Sequence, residues 1–162
     1  DLVLLSIGAL ADETFYREIS ECARIKGRKI HIASGAIGGF DVLRTISLMG
    51  QTQTSFRTKK GPKALLGTPL FEESLLTTTE EKQVFHGNAK EAISILPTKV
   101  NVAIAASLAS SDPENVDMSI FSVPQMVGDD HKITAQIPGV KAKLDIYSSK
   151  CYCRLEHCGC AA

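Results

Sequence analysis

The apolar residues divide the chain into segments of different period. Residues 1–7 form a nearly continuous apolar run, the pattern of a short strand buried on both faces. In the next segment Phe15, Ile19, Cys22 and Ala23 fall on one helical stripe. Asp12 can cap its start and Gly27 is a natural stop. Residues 29–34 read as a second strand, so the chain opens β–α–β and then enters a Gly-rich turn. Residues 40–49 predict a second striped helix, closed by Gly50. Residues 51–58 are rich in Thr and alternate, as in a strand. Residues 59–79 contain Gly61-Pro62, Gly67 and Pro69 and predict a long irregular loop, a kind of segment that often carries function.

Downstream, Asn88 can cap a short helix running to Leu96, and Thr98 an Ala-rich helix reaching about Ala109, with Asn101 in its first turn. Three strands follow, over 116–123, 131–137 and 140–147. In the last pair the alternation is clean. His131, Ile133, Ala135 and Ile137 face one way, and Lys132, Thr134 and Gln136 the other. Val140, Ala142, Leu144 and Ile146 alternate with Lys141, Lys143 and Asp145. Pro138-Gly139 joins the two as a tight hairpin. The predicted architecture is α/β of an α+β-like kind: a mostly antiparallel or mixed sheet with helices on one face, entered from a leftover parallel strand.

Composition narrows the function classes. The 162 residues suffice for one domain with a proper core, and 44% hydrophobic with 22% charged residues excludes wholesale disorder. Eighteen basic residues balance eighteen acidic ones, which gives no reason to expect nucleic acid or an anionic membrane as partner. No apolar run reaches the roughly 18–20 residues of a membrane span. Cys22 stands alone in the body, whereas Cys151, Cys153, Cys158 and Cys160 crowd the end. That distribution is not a disulfide framework and points to the cytoplasm. The tail's spacing also departs from structural zinc sites, so no metal is expected.

Four places can carry chemistry. His131 begins a strand on its apolar face, where burial tunes an imidazole for acid/base work or simply makes it a bonded core histidine. Asp129 and Asp130 can orient its ring or serve as turn residues. Asn101 combines a two-way amide with the free N–H groups of a helix start; a local capping role is the alternative. The small residues of Ser34-Gly35-Ala36-Ile37-Gly38-Gly39 admit close ligand approach or merely make a tight turn; the run is not G-x-G-x-x-G. Arg57, Lys59, Lys60 and Lys63 form a basic run; Arg57 and Lys60 are the candidates for gripping substrate carboxylates, against a solvated loop face.

Several of these blocks also carry a resemblance. Ser6-Ile7-Gly8-Ala9-Leu10-Ala11-Asp12 looks like a join between a Rossmann domain and a catalytic domain. Ser34 to Gly39 with Asp41, Pro97 to Ala103 around Val100-Asn101-Val102-Ala103, and His131-Lys132-Ile133 follow in order. Over residues 1 to about 149 they resemble the L-aspartate dehydrogenase family. The resemblance implies NAD- or NADP-dependent oxidation of L-aspartate to iminoaspartate, which hydrolyses to oxaloacetate and ammonia or feeds NAD biosynthesis. It implies a catalytic acid/base role for His131 and cofactor contacts for Ala36 and Asn101. The matching partners are L-aspartate or oxaloacetate and a second copy in a homodimer.

The expected division is a Rossmann remnant over 1–11, a catalytic domain over 12–149 and an aberrant Cys-rich tail over 150–162. A chain without the Gly-rich phosphate loop is expected to bind dinucleotide poorly. Family-like C-termini read approximately Ala-Ile-Ala-Gly-Trp-Ser. Cys151 to Cys160 can be encoded by codons that give that sequence after loss of one nucleotide, so a frameshift is expected in the tail. The competing readings are a related two-domain oxidoreductase, resembling homoserine dehydrogenase or dihydrodipicolinate reductase, and a non-catalytic ligand-binding or dimerisation domain.

Overall fold

The computed structural model describes residues 1–5, 7–33, 38–96 and 101–148. The β–α–β opening is present. β1 (Leu2–Leu4) pairs in parallel with β2 (Ile30–Ile32), and α1 (Glu13–Ile25) connects them. The Asp12 carboxylate accepts from the Phe15 amide at 2.9 Å and so caps α1. Gly27 takes a left-handed φ of 57° just past the helix, a conformation that costs other residues a Cβ clash.

The opening is shallower than its apolar pattern predicts. β1 was expected to be buried on both faces, yet Leu2 is 46% and Val3 65% exposed. The reason is that β2 is its only strand neighbour among the described residues, and two strands cannot enclose each other. After β1 the chain makes a 3₁₀ turn over Ile7–Ala11, and its Ile7 and Leu10 enter the main core instead. The α1 stripe is also only grazing: Ile19 is half-buried, while Phe15 and Cys22 are exposed.

The main body is a five-stranded mixed sheet with helices on one face. After α2 (Phe40–Met49) come β3 (Gln53–Lys60), the short α3 (Ser74–Thr77), β4 (Lys82–Asn88), α4 (Ala89–Ile95), α5 (Asn101–Ser110), β5 (Val116–Ser122), β6 (Asp129–Ile137) and β7 (Val140–Ser148). The strand order is β4-β5-β3-β6-β7. β3 and β5 run parallel; the other three pairings are antiparallel. Gly139 supplies the positive φ of 82° that the β6–β7 hairpin requires.

The core forms where the alternating faces of the strands meet α2, α4 and α5. Phe56, Met118, Ile120, Ile133 and Ala135 come from the sheet; Leu43, Ile46, Ala92, Ile104 and Ala106 come from the helices. Burying one such large side chain is worth about 1.5–3 kcal/mol, so this layer supplies most of the driving force. α4 is held at its start by a reciprocal capping box between Asn88 and Glu91, as the Asn88 position predicts.

Two elements depart from the expected layout. The segment expected as one long loop begins inside β3, which runs to Lys60, and then holds a 3₁₀ turn over Pro62–Leu65 and α3. β4 was not anticipated. It is an edge strand of polar composition with a register shift between Gln83 and Phe85, which blurs its period.

Gly39, at the start of α2, has a φ of 86°, and a Cβ there would lie 2.7 Å from Leu144 Cδ2. Gly39→Ala is expected to destabilise the fold by about 1–3 kcal/mol through strain and overpacking. An unchanged urea midpoint would contradict this seating of α2 on β7.

Candidate active site

The site is built from the alternation of β3 and β6. Their antiparallel register sets Thr58 opposite His131 and Lys60 opposite Asp129. Side chains two apart share a face, so Phe56, Thr58 and Lys60 lie on the helix-covered side with Asp129, His131 and Ile133. His131 is 6% exposed. Its Nδ1 lies 2.9 Å from the buried Thr58 hydroxyl, and its ring centroid is 5.6 Å from that of Phe56. No described residue hydrogen-bonds the other ring nitrogen, Nε2.

Burial pushes the His131 pKa below its ordinary range, and the Lys60 ammonium adds to the effect. The negative charges of Asp129 and Asp130 oppose it. The imidazole is therefore neutral at physiological pH and able to accept a proton. The linkage has a definite sign. The unfolded chain binds the proton more readily than the folded one, so stability is full above about pH 6.5 and declines as pH falls through the lowered folded value. In His131→Gln this decline is expected to be shallower in urea titrations between about pH 5 and 7. An identical slope would show that His131 does not carry it.

Beside the imidazole, Lys60 Nζ binds Asp129 Oδ1 at 2.9 Å, and both side chains are largely buried. Arg57 and Lys59 lie on the opposite, helix-free face, because strand alternation turns them away from Lys60. Both bind Glu81, Arg57 at 2.6 Å, and the Arg57 guanidinium stacks 4.0 Å above the Phe121 ring. Within β3 the basic residues thus divide between two faces, and only Lys60 shares the His131 face; Lys63 lies beyond the strand, exposed in the 3₁₀ turn. Asp129 is committed to Lys60, so the group bonded to the imidazole is Thr58, which sequence reasoning missed.

Asn101 is exposed at the first position of α5. At the other end of that helix Ser111 lines a cavity of about 950 Å³ with Thr52 and Thr54, at the beginning of β3. Ten helical residues span about 15 Å, which carries Asn101 away from that end of the sheet. Ala36, like the Cys-rich tail, lies outside the described residues.

With this geometry in place, comparison with known proteins is decisive. Residues 41–152 match the family model described as "Aspartate dehydrogenase, C-terminal". This chain belongs to the aspartate dehydrogenase family. L-aspartate dehydrogenase from Methanococcus maripaludis (strain C6) is 38% identical over 82% of the chain and 49% of the relative. The enzyme of the same name from Nitrosopumilus maritimus is 34% identical over 83% of the chain and 50% of the relative. The crystal structure of aspartate dehydrogenase from Thermotoga maritima superposes with a TM-score of 0.72 at 26% identity, covering 89% of this chain and 57% of that one. The chain therefore spans about half the length of the curated relatives it matches. It is the C-terminal, sheet-and-helix part of the family's fold that this chain shares. Among its described residues no helix is long and apolar enough to cross a membrane.

Proposed function

We propose that the chain is the substrate-side part of an NAD- or NADP-dependent dehydrogenase that oxidises L-aspartate to iminoaspartate. The observation that carries this reading is the buried, neutral His131, whose Nδ1 lies 2.9 Å from the Thr58 hydroxyl and which sits beside the Lys60–Asp129 pair. Oxidising an amine to an imine removes one proton from nitrogen and a hydride from the α-carbon. With Nδ1–H donating to the Thr58 hydroxyl, His131 Nε2 is the ring nitrogen that takes the proton. Lys60 supplies a cation for a substrate carboxylate on the same face.

The residues fit a nicotinamide at this end of the sheet. Asn101 offers an exposed carboxamide, able to donate and accept, at the first position of α5. The direction of α5 supports a position near the Thr58–His131 end. Ala36 is the second cofactor contact in this reading. When bound, the nicotinamide supplies the hydride acceptor. Arg57, directed to the far face, does not contribute. Release of iminoaspartate yields oxaloacetate and ammonia by hydrolysis, or a precursor for NAD biosynthesis. The reading includes a homodimer, for which the helix-free sheet face and edge strand β7 offer surface; sedimentation velocity tests it.

The direct test mixes the protein with L-aspartate and NAD, then NADP, and follows the reduced nicotinamide by absorbance. Reduction that depends on L-aspartate and fails with D-aspartate is expected, at dinucleotide concentrations high enough to offset the weak cofactor binding expected of this chain. Turnover of homoserine in place of aspartate would establish the related oxidoreductase instead. No turnover, combined with no shift of the His131 imidazole resonances on adding L-aspartate, overturns the assignment.

A further inference from the structure

Two buried hydroxyls on the His131 face, Thr54 and Ser122, have no hydrogen-bond partner among the described residues, and Ser122 is the one at the Lys60–Asp129 end of the sheet. Ser122 closes β5, is 0% exposed, and its hydroxyl has no hydrogen-bond partner among the described residues. A serine there is unexpected, because its same-face neighbours Val116, Met118 and Ile120 are all core residues. An apolar residue would continue their pattern without leaving a polar atom unpaired, a condition that proteins rarely tolerate without a reason.

The register supplies the reason. Ser122 stands directly opposite Lys60 on β3, and Lys60 stands opposite Asp129 on β6. The adjoining row sets Ile120 beside Thr58 and Thr58 beside His131. Ser122, Lys60 and Asp129 therefore form one polar row across three strands, a single row from the imidazole. Lys60 and His131 are diagonal neighbours on adjacent strands, about 7–8 Å apart, within the span of a small amino acid whose amine sits at His131, and Ser122 adjoins Lys60 on its far side.

The other register neighbour of Ser122, Lys82, is turned to Glu72 at 2.6 Å. Lys60 gives one N–H to Asp129, and an ammonium has three. Asp129 thus orients the cation without exhausting it. An unpaired hydroxyl donor beside a held ammonium is complementary to a carboxylate, which accepts from both.

We propose that Ser122 and Lys60 together seat a carboxylate of the substrate, with Asp129 positioning the lysine. The proposal rests on the reading of the chain as an aspartate-oxidising domain. It adds a contact, Ser122, that the basic run does not contain. The carboxylate is that of the α-carbon or that of the side chain; both present the same oxygens, and the assay separates them.

The test is titration of the 162-residue chain with L-aspartate, followed by NMR of the Ser122 and Lys60 amides and the His131 imidazole. Saturable shifts are expected. Ser122→Ala should weaken the apparent Kd about tenfold or more, the scale of a lost hydrogen bond to a charged group. Its Tm should stay level or rise, since an unpaired buried hydroxyl is removed. Lys60→Met should weaken binding further, and Lys60→Arg should retain more of it. An unchanged Kd in Ser122→Ala, or no saturable shift in the parent chain, overturns the proposal.

L-asparagine and L-isoasparagine each lack one carboxylate. The amide whose affinity ignores Ser122→Ala has lost the group that Ser122 holds; equal sensitivity of both overturns the seat. Binding weakened by Ser122→Ala, without aspartate-dependent reduction of NAD or NADP, would leave a carboxylate site and take away support for the dehydrogenase reading. Unchanged binding with aspartate-dependent reduction would do the reverse.

Discussion

Replacing His131 with Asn is expected to lower kcat for L-aspartate oxidation by about 10²–10⁴-fold, the usual contribution of a positioned acid/base group. The substitution keeps a polar side chain but no group that accepts a proton near neutrality. Binding of L-aspartate should change much less, since the carboxylate contacts lie on Lys60 and its neighbours. The parent kcat/KM should rise with pH along an acid limb set below the ordinary imidazole range, because burial and Lys60 both disfavour the imidazolium. His131→Asn should abolish that limb. Thr58→Val should move it, because Thr58 Oγ1 is 2.9 Å from Nδ1 and helps decide which ring nitrogen carries the proton. Thr58→Ser, which restores the hydroxyl, should return it. Full activity in His131→Asn, measured by reduced nicotinamide formation, would end the acid/base assignment.

What the pattern of residues revealed was local. Helix α2 is bounded by Gly39 and Gly50 and carries a stripe, and β6 and β7 alternate around a Gly turn; each signal sits inside the element it predicts. Burial of β1 was misjudged because an apolar run states a preference and says nothing of whether neighbours exist to satisfy it. β4 was hidden because an edge strand with Lys82, Gln83 and His86 is half solvated and has no clean period.

The site shows the same division. His131 was legible as a polar residue on an apolar face. Its partner was not, because Thr58 is 73 positions away and their meeting depends on the β3–β6 register. Asp129 and Asp130 were the sequence neighbours, yet Asp129 went to Lys60. The basic run shows why adjacency misleads in a strand: residues 57, 59 and 60 are close in sequence, but a one-residue step changes face. Extending β3 by two residues in the sequence reading would have separated Lys60 from Arg57. Ser122 carried a signal that was passed over, a hydroxyl on the apolar face of a predicted strand.

Phe56→Ala is expected to cost the largest share of stability, about 3–5 kcal/mol of the roughly 5–15 kcal/mol that holds a domain together. Phe56 is 2% exposed in the middle of the central strand β3, opposite Ile133 on one side and Met118 on the other. These neighbours are fixed by the sheet and cannot close the space that a lost ring leaves. The loss should appear as a lower urea midpoint with little change in m, since the surface exposed on unfolding is nearly the same. A milder Phe56→Leu keeps the fold and probes the site. The ring lies 5.6 Å from the His131 imidazole, so shrinking it opens space beside a group whose pKa is lowered chiefly by burial. Water entering that space should raise the His131 pKa toward its ordinary value, read from the ring protons by NMR. A midpoint shift below about 1 kcal/mol in Phe56→Ala would mean that the core does not depend on this contact. An unmoved His131 titration in Phe56→Leu would mean that the imidazole owes its neutrality to charge and not to the packing of β3.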